Sequence, residues 1–157
     1  MSIFFEQAQM RIKLDDGAKM PTRAHSTDAG LDIYAREDQI VPARGWAKFD
    51  TGVHIELPKI YLNTGLFPEA FNTVGFLKSK SGLNVKHGLV SEGVIDVGYV
   101  GSIVVKLSNH SDVDYQVKAG DKISQLVILP ILTPTLDLVD TLEDTDRGDN
   151  GFGSSGR

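Results

Sequence analysis

Apolar and polar residues alternate along several segments of the chain. The alternation runs through residues 31–34, 53–57 and 103–108. Because side chains two residues apart lie on one face of a strand, each segment predicts a strand with one buried face and one exposed face. The segment 123–129 is apolar on both faces, which predicts a strand buried between two layers.

Glycine-containing turn signals interrupt these segments at short intervals, at 15–17, 43–45, 63–65 and 119–121. Many short strands joined by such turns are typical of a sandwich, a jelly roll or a barrel. Only Ser81–His87 predicts a helical turn, with Ser81 as its candidate N-cap. The sequence therefore predicts an all-β fold.

Composition narrows the class of protein. A length of 157 residues favours one domain, and the absence of cysteine excludes disulfides and thiolate metal sites. A net charge of −5 argues against a nucleic-acid polymer as partner. No apolar run is long enough to span a membrane, and the N-terminus lacks the pattern of a secretory signal. We expect a soluble, cytoplasmic domain that binds no membrane.

The chain divides into three parts by composition. Residues 1–136 carry the strand patterns and form the predicted core, while 61–75 combine glycine, proline and scattered aromatics and predict an inserted surface loop or hairpin. Residues 137–157 are first acidic and then rich in glycine and serine. Such a composition buries little apolar surface, so we expect a mobile C-terminal arm.

The segment 93–101 is the first candidate for chemistry. It places Asp96 among apolar residues and glycines, with Tyr99 three residues later. A carboxylate held against an apolar wall is suited to act as a general base. The alternative is that Asp96 only begins a turn and Tyr99 belongs to the core.

Three further segments carry polar residues at strand or helix ends. Lysines precede the predicted helical turn that begins at Ser81, where free N–H groups bind anions. Gln125 lies within an apolar strand and needs a hydrogen-bond partner. Asp32 is a polar residue that alternates with apolar residues in another predicted strand. It would either bind a metal-bound water or pair with a surface lysine. The four histidines are far apart and have no metal-ligand spacing.

Together these segments resemble the five ordered motifs of the trimeric dUTP pyrophosphatases (dUTPases). The resemblance spans residues 24–156, and its most specific part is 93–96 with Tyr99 and Gly101. The five matching segments, in chain order, are 29–33, 80–83, 93–101, 120–126 and 147–156.

The resemblance implies a jelly-roll subunit in a homotrimer, with active sites between subunits and an arm that closes over a neighbour's site. It also implies hydrolysis of dUTP to dUMP and pyrophosphate by water attack at the α-phosphorus, which keeps uracil out of DNA and supplies dUMP for thymidylate synthesis. Mg²⁺ would be held mainly by the triphosphate, and Asp32 would reach it through water.

The same resemblance assigns roles to single residues. Asp96 would be the general base, Tyr99 would pack against the deoxyribose and Phe152 would stack on uracil. The implied substrate-binding residues are Lys80, Ser81, Gly82, Gly93, Val94, Ile95, Tyr99, Gln125, Arg147, Phe152, Gly153 and Ser154.

This sequence departs from the family pattern at a few positions. Lys80 stands where arginine is usual, so that a bidentate contact becomes a point charge. Arginine is also frequent at the position of Lys122, and glycine at that of Asn150. The 61–75 segment looks longer than usual and could bind a regulatory protein. The alternatives are a dUTP-sensing binding module of the phage type and a relative of the dCTP deaminases.

Overall fold

The computed structural model describes residues 9–63, 68–146 and 148, with side chains described outside 61–70. Within these ranges strands dominate and one short helix occurs. The elements in chain order are β1 (Arg11–Leu14), β2 (Gly30–Tyr34), β3 (Gln39–Val41), β4 (Trp46–Glu56), β5 (Ile60–Asn63), β6 (Pro68–Lys78), α1 (Ser81–His87), β7 (Leu89–Val90), β8 (Glu92–Ile95), β9 (Ser102–Asn109), β10 (Tyr115–Val117) and β11 (Lys122–Ile131).

The strands form two main sheets and one two-stranded ribbon. One sheet has the order β1-β4-β9-β7, and the other has the order β2-β11-β6-β5 with β8 also paired to β6. The ribbon pairs β10 with β3. One hydrophobic core contains buried side chains from all three. This is a jelly-roll arrangement, and the predicted all-β fold is confirmed.

The alternation is confirmed in β4 and β9, where most apolar side chains face the core and alternate with residues on the exposed face. In β2 the predicted exposed face is wrong, because Asp32 and Tyr34 are both buried. The preceding segment covers Tyr34: Lys19 lies over its ring, and Thr22 hydrogen-bonds its hydroxyl. In β11 only the first half is buried on both faces, since Leu129 is 47% exposed.

The predicted insertion at 61–75 covers two different parts of the structure. β5 pairs with the start of β6, from Ile60 opposite Phe71 to Asn63 opposite Pro68. From Asn72 onward, β6 pairs instead with β11 in the middle of the sheet. The outer hairpin is therefore confined to residues 60–71, and the remainder of the segment is a core strand.

Helix α1 spans Ser81–His87, as the sequence predicted, but the predicted cap is wrong. The N-cap residue is Lys80, which has extended φ and ψ and makes no capping hydrogen bond with its side chain. Ser81 is the first residue of the helix instead. Gly88 ends the helix in the left-handed region, at φ 65°. Because β6 ends at Lys78 and α1 begins at Ser81, Lys80 and Ser81 lie at the junction of the strand and the helix.

After β11 the chain continues without helix or strand through residues 132–146. This segment carries apolar side chains that are largely exposed in the subunit: Leu132, Leu136, Leu138, Val139 and Leu142. Of the predicted arm, 147 and 149–157 lie outside the described residues. No helix in the described part of the chain is long and apolar enough to cross a membrane.

The outer hairpin is predicted to be dispensable for folding. Replacing residues 61–70 by Asn-Gly would leave Ile60 and Phe71 paired across a two-residue turn of the favoured type. We expect the free energy of unfolding, measured by urea denaturation, to change by less than about 1 kcal/mol. Thr73→Pro is the contrast, because Thr73 is buried and pairs within the sheet. Loss of cooperative unfolding in the shortened protein would contradict the prediction.

Candidate functional site

The chain crosses between the two main sheets through residues 96–101, which we call the crossing turn. Before it, Ile95 ends β8 beside Gly75 of β6; after it, β9 pairs with β4. Within the turn the carbonyl of Asp96 accepts a hydrogen bond from the N–H of Tyr99 at 3.1 Å. Gly98 has φ 92°, which a glycine adopts without strain. The crossing turn thus has a defined conformation.

Tyr99 lies against the backbone of its own turn and outside the core. Its hydroxyl donates to the carbonyl of Ser102 at 3.0 Å, and the residue is 48% exposed. A Cβ at position 101 would lie 2.5 Å from that hydroxyl, so only glycine lets the ring take this position. The alternative that Tyr99 is a core residue is therefore wrong.

A cavity of about 210 Å³ opens between β8, the crossing turn and β9. β8 pairs with β6, and in the described part of the chain no strand pairs with its other edge. The backbone groups on that edge are therefore available to a ligand. Asp96 stands exposed at the cavity, so its own subunit does not bury it as the sequence suggested. The cavity is lined by Leu77, Gly93, Val94, Ile95, Asp96, Tyr99, Ile103 and Val104.

A second cluster is centred on the buried carboxylate of Asp32. One oxygen accepts a hydrogen bond from the ammonium of Lys80, and the other accepts one from Lys122 at 2.7 Å. Burial opposes ionisation of Asp32, but the bonds from Lys122 and Lys80 outweigh it and hold its pKa below the usual carboxyl range. The same contact raises the pKa of Lys122. The alternative of lysine pairing is confirmed.

The register of the sheet explains why distant sequence segments meet here. Asp32 of β2 lies opposite Gln125 of β11, Gln125 lies opposite Lys78 of β6, and Lys78 lies opposite Glu92 of β8. One row across four strands therefore brings the segments 29–33, 80–83 and 120–126 together at the same edge.

Gln125 is fixed within this row. Its Nε2 donates to the carbonyl of Ser79 at 3.0 Å, and this bond supplies the hydrogen-bond partner that the sequence predicted. A Cβ on Gly30 would lie 2.6 Å from the Gln125 side-chain oxygen. Glycine at position 30 therefore makes room for the amide close to the start of α1.

The cavity and the Asp32 cluster are not adjacent within one subunit. Lys78 lies opposite Glu92, and Asp96 is four residues further along, which is roughly 13 Å of strand. The structure therefore groups Asp96, Tyr99 and 93–95 at one place, and Lys80, Ser81, Gly82 and Gln125 at another. The predicted residues Arg147, Phe152, Gly153 and Ser154 lie outside the described part of the chain.

Sequence reasoning missed Lys122 as a member of the second cluster. The available signal was its place in the 120–126 segment, where the family often has arginine. In the described ranges no group of three or more His, Asp or Glu side chains is arranged to hold a metal. A water-mediated contact of Asp32 with Mg²⁺ stays a prediction, and such a water would compete with two ammonium groups.

Comparisons with known proteins agree with this geometry. A family model described as dUTPase matches residues 16–156. A curated deoxyuridine 5'-triphosphate nucleotidohydrolase of Arabidopsis thaliana is 43% identical over 92% of this chain and 80% of its own. The Clostridium tetani protein of the same name is 38% identical over 94% of this chain and 97% of its own.

Solved structures give the same result. The dUTPase of Staphylococcus bacteriophage 80alpha with dUpNHpp has a TM-score of 0.82 and 32% identity, covering 95% of this chain and 99% of that one. It comes from work on phage dUTPases that control transfer of virulence genes. A dUTPase mutant from phage phi11 of S. aureus, solved with a structural Mg(II) ion, has a TM-score of 0.71 and 30% identity, covering 87% and 99%.

The Asp32 cluster predicts acid-sensitive stability. Because folding lowers the pKa of Asp32, its contribution is present above the ordinary carboxyl pKa and is lost as pH falls through the lowered value. Asp32→Asn should cost about 2 kcal/mol at pH 7, because the hydrogen bonds from two partly exposed lysines to a carboxylate are lost. The difference from wild type should shrink toward pH 3 in urea denaturation.

Asp38→Asn is the control for this prediction, because Asp38 forms an exposed pair with Lys118. We expect a much smaller loss of stability for this variant. Equal losses for the two variants would contradict a special role of the buried carboxylate.

Proposed function

The chain belongs to the dUTPase family, and we propose that it hydrolyses dUTP to dUMP and pyrophosphate by attack of water at the α-phosphorus. The observation that carries this proposal is the cavity at the crossing turn. It combines an edge strand with free backbone groups, a tyrosine held by its own turn and an exposed carboxylate. Such an arrangement can read a base edge, pack a sugar and supply a base.

The cavity would take the deoxynucleoside end of the substrate. Backbone groups of Gly93, Val94 and Ile95 face away from β6 in alternation, as an edge strand requires, and would hydrogen-bond the uracil edge. Tyr99 would pack against the deoxyribose and exclude a 2′-hydroxyl. A close approach of these backbone groups to the uracil ring would reject thymine through its extra methyl group.

Asp96 would orient and deprotonate the attacking water. Its exposure in the isolated subunit leaves the carboxylate accessible to a water molecule and to a phosphate. Phosphoryl chemistry needs positioning and charge stabilisation more than covalent assistance. A single well-placed base therefore suffices for the protein's part in proton transfer.

The second cluster would hold the phosphates. Ser81 and Gly82 begin α1, where the first N–H groups lack helical partners, and Gln125 lies beside them. Lys80 already pairs with Asp32, so a phosphate would share or replace that contact. Lys122 keeps Asp32 neutralised when Lys80 moves. This arrangement supplies local cations in a chain of net charge −5.

Mg²⁺ enters this proposal as part of the substrate, chelated by the triphosphate. The described donor set supports that role better than a protein-bound ion, because the oxygens of Asp32 already accept bonds from two lysines. Metal bound to the triphosphate neutralises charge that Lys80 and Lys122 do not reach. Every other contribution comes from backbone groups and side chains of this chain.

The proposal also includes a homotrimer with sites between subunits. Because the nucleoside cavity and the phosphate cluster are apart in one subunit, a complete site needs the cavity of one copy beside the cluster of another. The exposed apolar side chains of residues 132–142 fit a contact with a second copy. In this assembly Arg147 would hold the terminal phosphate and Phe152 would stack on uracil, with Gly153 and Ser154 completing the closed arm.

The proposed reaction would keep uracil out of DNA and supply dUMP, and we propose that it takes place in the cytoplasm. A regulatory partner at the outer hairpin, residues 60–71, is a second candidate function. It is favoured by the likeness to a dUTPase of bacteriophage 80alpha from work on phage dUTPases that control transfer of virulence genes.

The position of Tyr99 against the cavity favours a dUTPase over a dCTP deaminase.

Pyrophosphate release tests the reaction. With Mg²⁺ present, wild-type protein should release pyrophosphate from dUTP and not from dTTP, dCTP or UTP. Asp96→Asn should lower kcat by roughly 10²–10⁴-fold because it removes the base, with little change in the affinity for dUMP. Lys48→Gln is a surface control and should behave as wild type. Tight binding without turnover in the wild type would instead favour a dUTP-sensing module.

The trimer is tested by light scattering after gel filtration. Leu136→Glu with Leu138→Glu should shift the mass from three chains toward one, because both side chains are almost fully exposed in the subunit and apolar. Val85→Glu, on the exposed face of α1, is the matched control. A monomeric wild type that hydrolyses dUTP would contradict the shared site.

A further inference from the structure

We propose that His54 is a positioning residue for the nucleoside end of the substrate. It acts as a doubly protonated imidazolium that ties the crossing turn to the loop after β1. This inference rests on the proposed function, because the crossing turn carries Tyr99 and Asp96. The resemblance to dUTPases assigned His54 no role, and the sequence shows it only as a polar position within a strand.

The hydrogen bonds of His54 determine its protonation state. Its Nδ1 lies 2.8 Å from the carbonyl oxygen of Val100, and its Nε2 lies 3.0 Å from a carboxylate oxygen of Asp15. Both partners are acceptors only. A neutral imidazole has one N–H and can satisfy one of them, whereas an imidazolium donates to both. The bridge is therefore complete only when His54 is charged.

A bulge in β4 brings His54 to this position. Asp50 lies opposite Val104 of β9, but His54 lies opposite Ser102, so that three residues of β4 face one residue of β9. Gly52, within the bulge, has φ 65°, and a Cβ there would lie 3.0 Å from the side chain of Ala18. The bulge therefore requires glycine at position 52.

Polar contacts hold both sides of the bulge. The N–H of Gly52 donates to the hydroxyl of Ser102 at 3.0 Å, and that hydroxyl donates to Asp50. The carbonyl of Ser102 in turn accepts the bond from Tyr99. The bridge from His54 to Val100 adds an anchor between these points. Val100 and Ser102 are thus both tied to β4, and Ser102 is also tied to Tyr99.

The crossing turn needs such an anchor because little of it is buried. Val97 and Val100 are 40% and 60% exposed in the subunit, so apolar burial contributes little to its position. The side chains of His54 and Asp15 are 20% and 34% exposed. Partial shelter from water makes a charged hydrogen bond stronger than one on an open surface.

The surrounding charges favour the imidazolium. The hydrogen bond to Asp15 is the largest cause that raises the pKa of His54, followed by the carbonyl of Val100, while burial and Lys13 oppose the shift. The carboxyl of Asp15 has a lowered pKa, chiefly through its bond to His54. The charged side chains around His54 are Arg11 and Lys13 of β1, Asp15 of the loop and Glu56 of β4. Arg36 and Asp50 lie next to Gly52, on the far side of Asp15.

The pH dependence follows from this direction. Because the pKa of His54 is raised in the folded protein, the bridge is present below that pKa and is lost as pH rises through it. Loss of one hydrogen bond should loosen the crossing turn and weaken nucleoside binding by about fivefold. Below the pKa of His54 the imidazole stays charged. Its contribution to nucleoside binding should therefore stay constant until the pH is low enough to protonate Asp15.

Four proteins test the inference: wild type, His54→Gln, Asp15→Asn and His110→Gln. The affinity for dUMP, measured by calorimetry from pH 6 to pH 9.5, should fall about fivefold in the wild type as His54 loses its proton. His54→Gln should bind weakly throughout and lack this inflection. Asp15→Asn should show the inflection at lower pH, because a neutral partner no longer favours the charge. His110→Gln, an exposed histidine, should match the wild type.

Titration of dUMP itself affects all four proteins equally, so the differences between them isolate the histidine. Imidazole ¹⁵N resonances, assigned by comparison with His54→Gln, should show that His54 keeps both ring protons to a higher pH than an ordinary histidine does. A His54 pKa that is not raised above the ordinary histidine value, or the same inflection in wild type and His54→Gln, would overturn this inference alone. A wild type that neither binds dUMP nor cleaves dUTP would overturn the proposed function as well.

Discussion

The passage of the chain from one sheet to the other at residues 96–101 is the constraint on which the site depends. Ile95 is buried against the β6 sheet, and Ile103 is buried in the core beneath the β4 sheet. With both ends fixed in the core, the short segment between them has few conformations available. That restriction holds Asp96 and Tyr99 at the surface without burying them.

Electrostatics governs the other half of the site. An isolated buried carboxylate is costly, and in this protein two lysines from separate segments remove the cost at Asp32. The pairing also holds the ammonium groups of two lysines at the edge of the sheet in an acidic protein, close to the start of α1. A phosphate that engages Lys80 leaves Asp32 with one remaining partner, so the cluster can accept an anion without exposing a bare carboxylate.

Much of the site was predicted from local sequence, and its failures have identifiable causes. The segment 93–101 was a candidate for chemistry because of its carboxylate and its tyrosine, and the structure places both at one cavity. The exposed face predicted for β2 was wrong because Lys19 and Thr22 cover Tyr34. The cap predicted at Ser81 was wrong because the helix begins one residue earlier than a hydroxyl cap would require.

The sequence by itself determined which segments become strands, where the turns fall and which residue types carry chemistry, because a period of two and the needs of turn glycines are local properties. Only the tertiary structure decided which segments meet. Asp32, Gln125 and Lys78 share a row because the register of three strands aligns them. His54 reaches Val100 because a bulge shifts β4 against β9. Register is set by core packing between residues far apart in sequence, and a local sequence pattern does not determine it.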